Sequence, residues 1–384
     1  DEAIAAVVPI LSTGPVAVEL LDDTVVDLAR ANAEYARYVE LMPAPPAGRG
    51  VLKAVLYVEY FADGPAAAAD ADAARRAKFD ELERIVAREF PGATARRYTD
   101  APSMNEAWKL RKAGEPLLHG IPGHRKPITF VEDNAVPVEH LARFVKDFRA
   151  IVERHGTRAA FYAHASVGVL HVRPLVDIHD PADRDVMRSI AVEVADLARS
   201  LGGVMSGEHG DGRVRSPLLE RFYGPELMNA MREVKRVFDP RNLLNPGNIV
   251  EPRPVEAITE TLRIKPGRAQ LEVPNTDTFF NYDDQHGFDA AVEMCNGAGV
   301  CRKKQGGTMC PSYMATLDER HSTRGRGNAL RLAITGQLEA FRNPASAGAQ
   351  SGPDWSDPGA IETLDLCLSC KACKTECPSN VDIS

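Results

Sequence analysis

Apolar and polar residues alternate along this chain with two different periods, and the changes between them sketch a fold. Residues 51–61 (VLKAVLYVEYF) are rich in β-branched and aromatic side chains, which predicts a strand. Residues 70–90 switch to helical spacing, with Phe79, Leu82, Ile85, Val86 and Phe90 on one stripe and Pro91-Gly92 as the stop. Residues 126–132 predict a further strand. Pro137 then opens a helix running to His155, with Leu141, Phe144, Val145, Phe148 and Ile151 on one face. Residues 158–177 read as one or two strands, and 180–201 as a helix that Gly202-Gly203 breaks. After a loop at 206–212, residues 216–238 are helical up to Asp239-Pro240, and 241–250 (RNLLNPGNIV) are turn-rich. Strands and helices in this order predict an α+β fold: an antiparallel sheet with helices on one face, followed by a mostly helical C-terminal region.

The 384 residues are enough for two or three domains. A Pro-containing stretch at 253–289 reads as a linker between a domain at 1–252 and a second at 290–384. An insert at 343–358, rich in Ala, Gly, Ser and Pro, reads as a mobile loop. The net charge of −8 argues against nucleic acid, whose binding needs clustered positive charge. No stretch approaches the ~18 consecutive apolar residues of a membrane span. The opening at Asp1, directly into amphipathic sequence, reads as a fragment that continues upstream. The end at Ser384 reads as a truncated module.

Candidate chemistry begins with two histidines, His164 and His171, in the strand-like run YAHASVGVLHVRP. If the flanking pieces are extended and a tight turn at 166–168 joins them, the imidazoles meet across a hairpin. Gly207-Glu208-His209-Gly210 offers a third ligand where glycines let the backbone approach closely. Two histidines and a carboxylate leave open positions on a divalent ion, which lets substrate coordinate directly. The plain alternative is a set of ordinary core or surface histidines.

All seven cysteines fall between Cys295 and Cys377. Such clustering reads as metal ligation in a reducing compartment, the cytosol by default, rather than as a disulfide framework. Cys367, Cys370, Cys373 and Cys377-Pro378 form the bacterial ferredoxin run, whose fourth cysteine commonly serves a second cluster; zinc is the rival ligand. The earlier set is Cys295, Cys301 and Cys310, with Ala298 where a middle cysteine would stand. Three ligands leave open a three-iron cluster, a site with a non-cysteine ligand, or a partly vestigial site. The expected pairing joins Cys310 to Cys367, Cys370 and Cys373, and Cys377 to Cys295 and Cys301. The adjoining basic run HSTRGRGNALRLA (321–333) fits either docking of an acidic partner or packing around a cluster.

GEHGDG (207–212), the helix after it and FDPRNLLNPGNIV (238–250) resemble the C-terminal domain of FAD-linked oxidases. This is the vanillyl-alcohol-oxidase-type superfamily that includes D-lactate and D-2-hydroxyglutarate dehydrogenases. HASVGVLHVRP is similar to that family's paired-histidine motif, more often H-x-G-D-G-N-x-H. The departure at Ser166 and Val167 leaves both ligand positions intact. Residues 290–384 resemble a heterodisulfide-reductase-like iron–sulfur domain.

The resemblance implies that His164, His171 and Glu208 hold a divalent metal (zinc, manganese or iron) and that His209 is the catalytic base. The ion would bind the substrate's hydroxyl and carboxylate, and the α-hydrogen would leave as hydride to FAD. Arg111, by its place after Trp108, matches the family's substrate arginine, and Lys126 stands where the family places a substrate lysine. Arg173 is a further candidate for a second carboxylate. Asn245 and Asn248 would contact the flavin or shape its cavity. The implied activity is oxidation of a small D-2-hydroxy acid, D-2-hydroxyglutarate or D-lactate, to the 2-oxo acid. Electrons would pass through 4Fe-4S clusters to an acceptor, a quinone or an electron-transfer protein. Glycolate-type oxidation and a non-catalytic electron-transfer subunit are the alternatives. The protein would be cytoplasmic, free or peripheral at the inner membrane, alone or as a homo-oligomer. The family's FAD-binding domain precedes the segment present here, and residues 1–110 contain no glycine-rich phosphate loop. The chain by itself is therefore expected to bind FAD weakly or not at all.

Overall fold

A computed structural model describes residues 1–32, 35–46, 48, 50–61, 68–262, 278–338 and 353–383. The middle of the expected linker (263–277) and most of the expected mobile insert (343–352) lie outside them. The chain divides into two compact units. One comprises Asp1–Asp27, Tyr38–Arg111 and Pro127–Pro266; the other comprises Leu28–Arg37, Lys112–Lys126 and Gly267–Ser384.

The first unit is built on an antiparallel sheet. Its strands are β1 (Ala17–Asp22), β2 (Ala54–Glu59), β3 (Lys126–Pro127), β4 (Asn134–Ala135), β5 (Ala159–His164) and β6 (Val169–Val176). Their order is β2-β1-β5-β6-β3, with β4 also on β6. Alternation along each strand sorts side chains to two faces. Leu20, Phe161, Ala163, Leu170 and Val172 enter the apolar core, while Glu19, Tyr162, His171 and Arg173 are buried outside it.

Helices cover the apolar face. In Leu141–Arg154 the residues Leu141, Phe144, Val145, Phe148, Ile151 and Val152 recur at helical spacing and are all buried. Phe148 meets Phe144 and Phe161 edge-on, at 5.7 and 6.2 Å between ring centroids. Each such ring stabilises the layer by roughly 1.5–3 kcal/mol through burial. Helix Pro181–Ser200 starts on Asp180, whose carboxylate accepts the Ala182 N–H, and packs Met187, Ile190, Val194 and Ala198 inward. The expected α+β architecture is present, and strand β2, the hairpin β5–β6 and helices Ala68–Glu89, Leu141–Arg154 and Pro181–Ser200 fall where the hydrophobic pattern puts them.

Helices Glu2–Leu11 and Ala101–Leu118 and strand β1 were not read from the pattern, and two expected elements differ from it. The strand expected at 126–132 is only two residues long before the backbone leaves extended geometry, and Asp133 has φ +75°. Its carboxylate is used to hold another loop, as described below. The helix expected over 216–238 starts with a 3-10 turn at Ser216–Leu218 and breaks at Gly224 (φ 82°) before Pro225. The missing N–H and the ring of Pro225 account for the break.

The second unit is made of short pieces, among them helices Phe288–Glu293, Pro311–Thr316, Thr323–Ile334, Pro358–Leu364 and Ala372–Glu376. Val292, Met294, Leu330, Ile334, Val381 and Ile383 form one small core. A second gathers Cys301, Met309, Cys310, Tyr313 and Ala372, so the cysteines are part of the packing. Among the described residues no helix is long and apolar enough to cross a membrane.

Candidate active site: a histidine–carboxylate centre and a cysteine region

The centre is assembled by sheet register. β5 and β6 are joined by the turn Ala165–Val167 and by Gly168, whose φ is 72°. A Cβ there would lie 1.9 Å from the Val136 carbonyl oxygen, so only glycine closes this turn. The hairpin sets Tyr162 opposite His171 and Ala160 opposite Arg173, and β1 sets Glu19 opposite His164. The period of two therefore delivers these polar side chains to the face that the helices leave open.

The loop 206–212 brings the rest. Asp133 accepts the backbone N–H groups of Glu208 (3.2 Å) and His209 (2.8 Å), and the Ser206 hydroxyl also bonds it. Three imidazoles then converge on a single carboxylate oxygen. Glu208 Oε1 lies 3.4 Å from His164 Nε2, 3.1 Å from His171 Nε2 and 3.3 Å from His209 Nε2. Asp133, His171, Glu208 and His209 also place ligand atoms within 4.8 Å of one another. Asp133 already accepts three hydrogen bonds from the loop, so the imidazoles and Glu208 are the better donor set for an ion.

Behind the imidazoles stands a layer of carboxylates, and behind that a layer of guanidiniums. Glu19 bonds His164 Nδ1 at 2.8 Å and receives Arg111 Nε and Nη2 at 3.0 and 2.6 Å. Glu132 lies 3.2 Å from His209 Nδ1, 3.7 Å from His171 Nδ1 and 3.0 Å from Arg173 Nη2. Arg173 also donates to the Tyr162 hydroxyl at 2.7 Å. Holding Nδ1 of His164 and His209 fixes those two rings and points Nε2 forward, the usual support for a ligand histidine. The back of the centre is dry and the front open: His171 is 3% exposed, against 35% for His164, 43% for Glu208 and 46% for His209.

Charge follows the geometry. Burial pushes the Glu132 carboxyl up, but the imidazole of His171 and the charges of Arg173, His171 and His209 outweigh it and hold it at about 2. The His164 imidazole is raised above its ordinary value, chiefly by its bond to Glu19 and against the effect of burial.

The structure thus gathers His164, His171, Glu208 and His209 into one cluster. Arg111 and Arg173 stand beside it, buried and turned onto Glu19 and Glu132. Lys126 belongs to the second unit, where its ammonium donates to the Ile121 carbonyl at 2.7 Å. Asn245 and Asn248 face each other in an exposed turn, the Asn248 amide donating to Asn245 Oδ1 at 2.8 Å. Sequence reasoning missed Glu19, Glu132 and Asp133. Their signal was present as acids inside apolar strand-like runs, AVELLD and TFVEDNAVP, where burial demands a partner.

In the second unit Cys377 lies beside Cys295 and Cys301. Burial, with those two sulfurs adding to it, pushes the Cys377 thiol up to about 11. Cys301 Sγ accepts the Arg324 N–H at 3.4 Å. Cys310 Sγ faces the Arg326 guanidinium at 3.1 Å and packs against Ala372. The run HSTRGRGNALRLA is therefore folded against cysteines: an added Cβ at Gly325 would lie 2.1 Å from the Glu319 carbonyl, and one at Gly327 3.9 Å from Cys295 Cβ. Soft thiolates packed in this number and spacing suit iron–sulfur clusters.

Comparison with known proteins agrees with both halves. Residues 1–249 match the model of FAD linked oxidases, C-terminal domain, and residues 291–381 match that of the 4Fe-4S dicluster domain. D-2-hydroxyglutarate dehydrogenase of Pseudomonas putida is 32% identical over 397 residues, covering 96% of this chain and 37% of that protein. The Escherichia coli (strain K12) protein of the same name is 32% identical over 391 residues, covering 95% and 37%. D-lactate dehydrogenase of Archaeoglobus fulgidus is 38% identical over 128 residues, covering 33% of this chain and 28% of that protein. The chain thus spans 37% of the length of the first two relatives. A hairpin-borne histidine pair, a glycine-flanked Glu-His and a family match over residues 1–249 together make this chain a member of the FAD linked oxidases, carrying their C-terminal domain joined to a 4Fe-4S domain.

Proposed function

We propose that this chain forms the substrate and metal site of a flavin-dependent D-2-hydroxy-acid dehydrogenase and the start of its electron exit. The observation that carries this reading is the convergence of three Nε2 atoms on Glu208 Oε1 at the open front of a buried, charge-compensated layer. Two relatives matched over nearly the whole chain are named D-2-hydroxyglutarate dehydrogenase, which favours that acid, with D-lactate as the second choice.

In this reading His164, His171 and Glu208 hold a divalent ion, zinc, manganese or iron, and the donor set of imidazole and carboxylate suits all three. When bound, the ion supplies Lewis-acid polarisation of the substrate hydroxyl, and the flavin supplies a two-electron acceptor for the α-hydrogen. His209 takes the hydroxyl proton on Nε2. Its Nδ1 faces Glu132, which orients the ring and stabilises the imidazolium that proton transfer creates. Arg111 contributes the part of its fork that Glu19 does not use, Nη1, to a substrate carboxylate. Arg173 supports from behind, through Glu132. Asn245 and Asn248 are the residues of this chain that would meet the flavin. The cysteines would hold clusters, which when bound would supply one-electron carriers between the flavin and a quinone or an electron-transfer protein.

The test is anaerobic flavin bleaching in the holoenzyme by D-2-hydroxyglutarate and by D-lactate, before and after chelation. Rapid bleaching by one acid, abolished by chelator, is expected. His209→Ala should keep its metal and bleach about 10²–10⁴-fold more slowly, the usual worth of a positioned base. Absence of bleaching by every D-2-hydroxy acid would sink the proposal.

A further inference from the structure

His171 is the most buried imidazole of the centre, and it is held differently from the other two. His164 Nδ1 bonds Glu19 at 2.8 Å, and His209 Nδ1 meets Glu132 at 3.2 Å. His171 Nδ1 stands 3.7 Å from Glu132, within reach of its charge but beyond hydrogen-bond length. What meets this ring is aromatic. Tyr162 stacks on it with centroids 4.8 Å apart and planes at 27°, and His209 does so at 5.1 Å and 22°. Strand register delivers the tyrosine: Tyr162 lies directly opposite His171 on β6, and the fully buried Leu21 stands opposite it on β1. The tyrosine is fixed in turn. Its hydroxyl accepts Arg173 Nη2 at 2.7 Å, and the guanidinium carbons of Arg111 and Arg173 lie 5.5 and 5.6 Å from its ring centroid. Tyr162 is itself buried and takes no part in the chemistry described above.

We propose that Tyr162 is a positioning residue of the metal centre, and that its ring sets the plane in which His171 presents Nε2 to the ion. The inference rests on the metal reading of His164, His171 and Glu208 and adds to it the residue that aims one ligand. The lone pair of an imidazole nitrogen lies in the ring plane, so a ligand histidine must hold that plane toward the metal. For His164 and His209 a bond at Nδ1 does this. For His171 it does not, and the torsion between Cβ and the ring is broad by itself. Turning about that torsion would carry Nε2 off its line and would break the offset stack with Tyr162, which opposes the turn. The two guanidiniums that flank Tyr162 are each paired with a carboxylate of the supporting layer, Arg111 with Glu19 and Arg173 with Glu132. One buried ring thus meets both arginine–carboxylate pairs and the imidazole between them. Tyr162 acts through His171 and is not a catalytic residue.

The experiment is metal titration of the cluster-loaded holoenzyme after chelation of its divalent ion, on wild type, Tyr162→Phe, Tyr162→Leu and Tyr162→Met. Zn²⁺ binding is measured by calorimetry, and Co²⁺ binding by its visible ligand-field bands; melting followed by circular dichroism shows which variants are folded. Tyr162→Phe keeps the stacked ring and should bind both ions as wild type does, with the cobalt bands in place. Tyr162→Leu and Tyr162→Met fill the space without a ring to stack on. Each should bind about 10–100-fold more weakly, the usual worth of an outer-shell partner of a metal ligand, with the cobalt bands displaced. A loss of packing alone would lower the melting temperature without moving the bands of the ion that still binds. A folded non-aromatic variant with wild-type affinity and bands overturns the proposal. So does Tyr162→Phe if it loses as much as they do, because the hydroxyl rather than the ring would then carry the effect. Unfolding of both non-aromatic variants would assign the ring to the core and overturns it as well. A wild-type protein that binds neither ion overturns instead the metal reading beneath it.

Discussion

The two polar centres of this molecule are stabilised in opposite ways. In the first unit each imidazole that faces forward has a carboxylate behind it, and each carboxylate has a guanidinium behind that. Glu19 carries His164 and Arg111, and Glu132 carries His209, His171 and Arg173. Each charged side chain of this layer has an oppositely charged side chain against it. In the second unit the sulfurs are packed into small apolar cores, and a buried arginine has a cysteine for its counter-charge. That arrangement is balanced only when the sulfur is anionic, as it is on a cluster. The lesson is that the first centre is held by paired side chains, while in the second the packing itself is made of sulfurs.

The largest expected effect tests this contrast directly. Chelation of the divalent ion should leave the melting of the first unit nearly unchanged. Oxidative loss of the clusters should abolish the cooperative transition of the second. Differential scanning calorimetry of the same preparation, before and after each treatment, reads both. A second unit that melts cooperatively without clusters would remove the contrast.

Glu19→Gln comes next. It leaves Arg111 buried without its anion, and breaking a buried pair from one side costs about 3–5 kcal/mol. The pair is 9% and 10% exposed, so solvent screening does little to soften the loss. Denaturant unfolding followed by a probe in the first unit measures it. A loss under about 1 kcal/mol would mean the pair behaves like a surface ion pair, and the layer is not sealed.

Glu132 gives a smaller, pH-graded effect. Its carboxyl is depressed from 4.5 to about 2 in the folded protein. The stability it contributes is therefore complete above pH 4.5 and is lost progressively as pH falls toward 2. Apo protein should lose first-unit stability steadily across that window, and Glu132→Gln should flatten the slope there. A variant with the wild-type slope would assign the acid sensitivity to other carboxylates.

Much of this was legible from the chain, and the misses share a cause. The hairpin holding His164 and His171 follows from two apolar strands and a glycine, all local. Helices Ala68–Glu89, Leu141–Arg154 and Pro181–Ser200 follow from their stripes, whereas Ala101–Leu118 was not read from the sequence. Glu19, Glu132 and Asp133 were missed because their roles depend on partners from 39 to 145 residues away in sequence, which no period reveals; Glu132 meets His171, Glu19 meets His164 and Asp133 meets the loop at 206–209. Asp133 also explains why the strand expected at 126–132 stops short, since its left-handed backbone turns the carboxylate toward that loop. Arg326 was hidden for the reverse reason. In HSTRGRGNALRLA it sits among three other basic residues, His321, Arg324 and Arg331, and sequence alone does not mark which of the four is buried.

The smallest effect probes how the second unit aims its donors. Ser322 caps helix Thr323–Ile334: its hydroxyl accepts the Gly325 N–H at 2.9 Å and donates to the Glu319 carbonyl at 2.8 Å. Ser322 is fully buried, so an alanine there leaves the Gly325 N–H unpaired rather than handing it to water. Loss of the cap should cost about 1 kcal/mol. The same helix start directs the Arg324 N–H to Cys301 and the Arg326 side chain to Cys310, so fraying it loosens both contacts together. With clusters in place they pin the turn from the other side, and the loss should be smaller than in apo protein. Melting of Ser322→Ala in both states separates these cases. An equal loss in the two would show that the cap stabilises the helix alone and that the clusters do not reinforce its first turn.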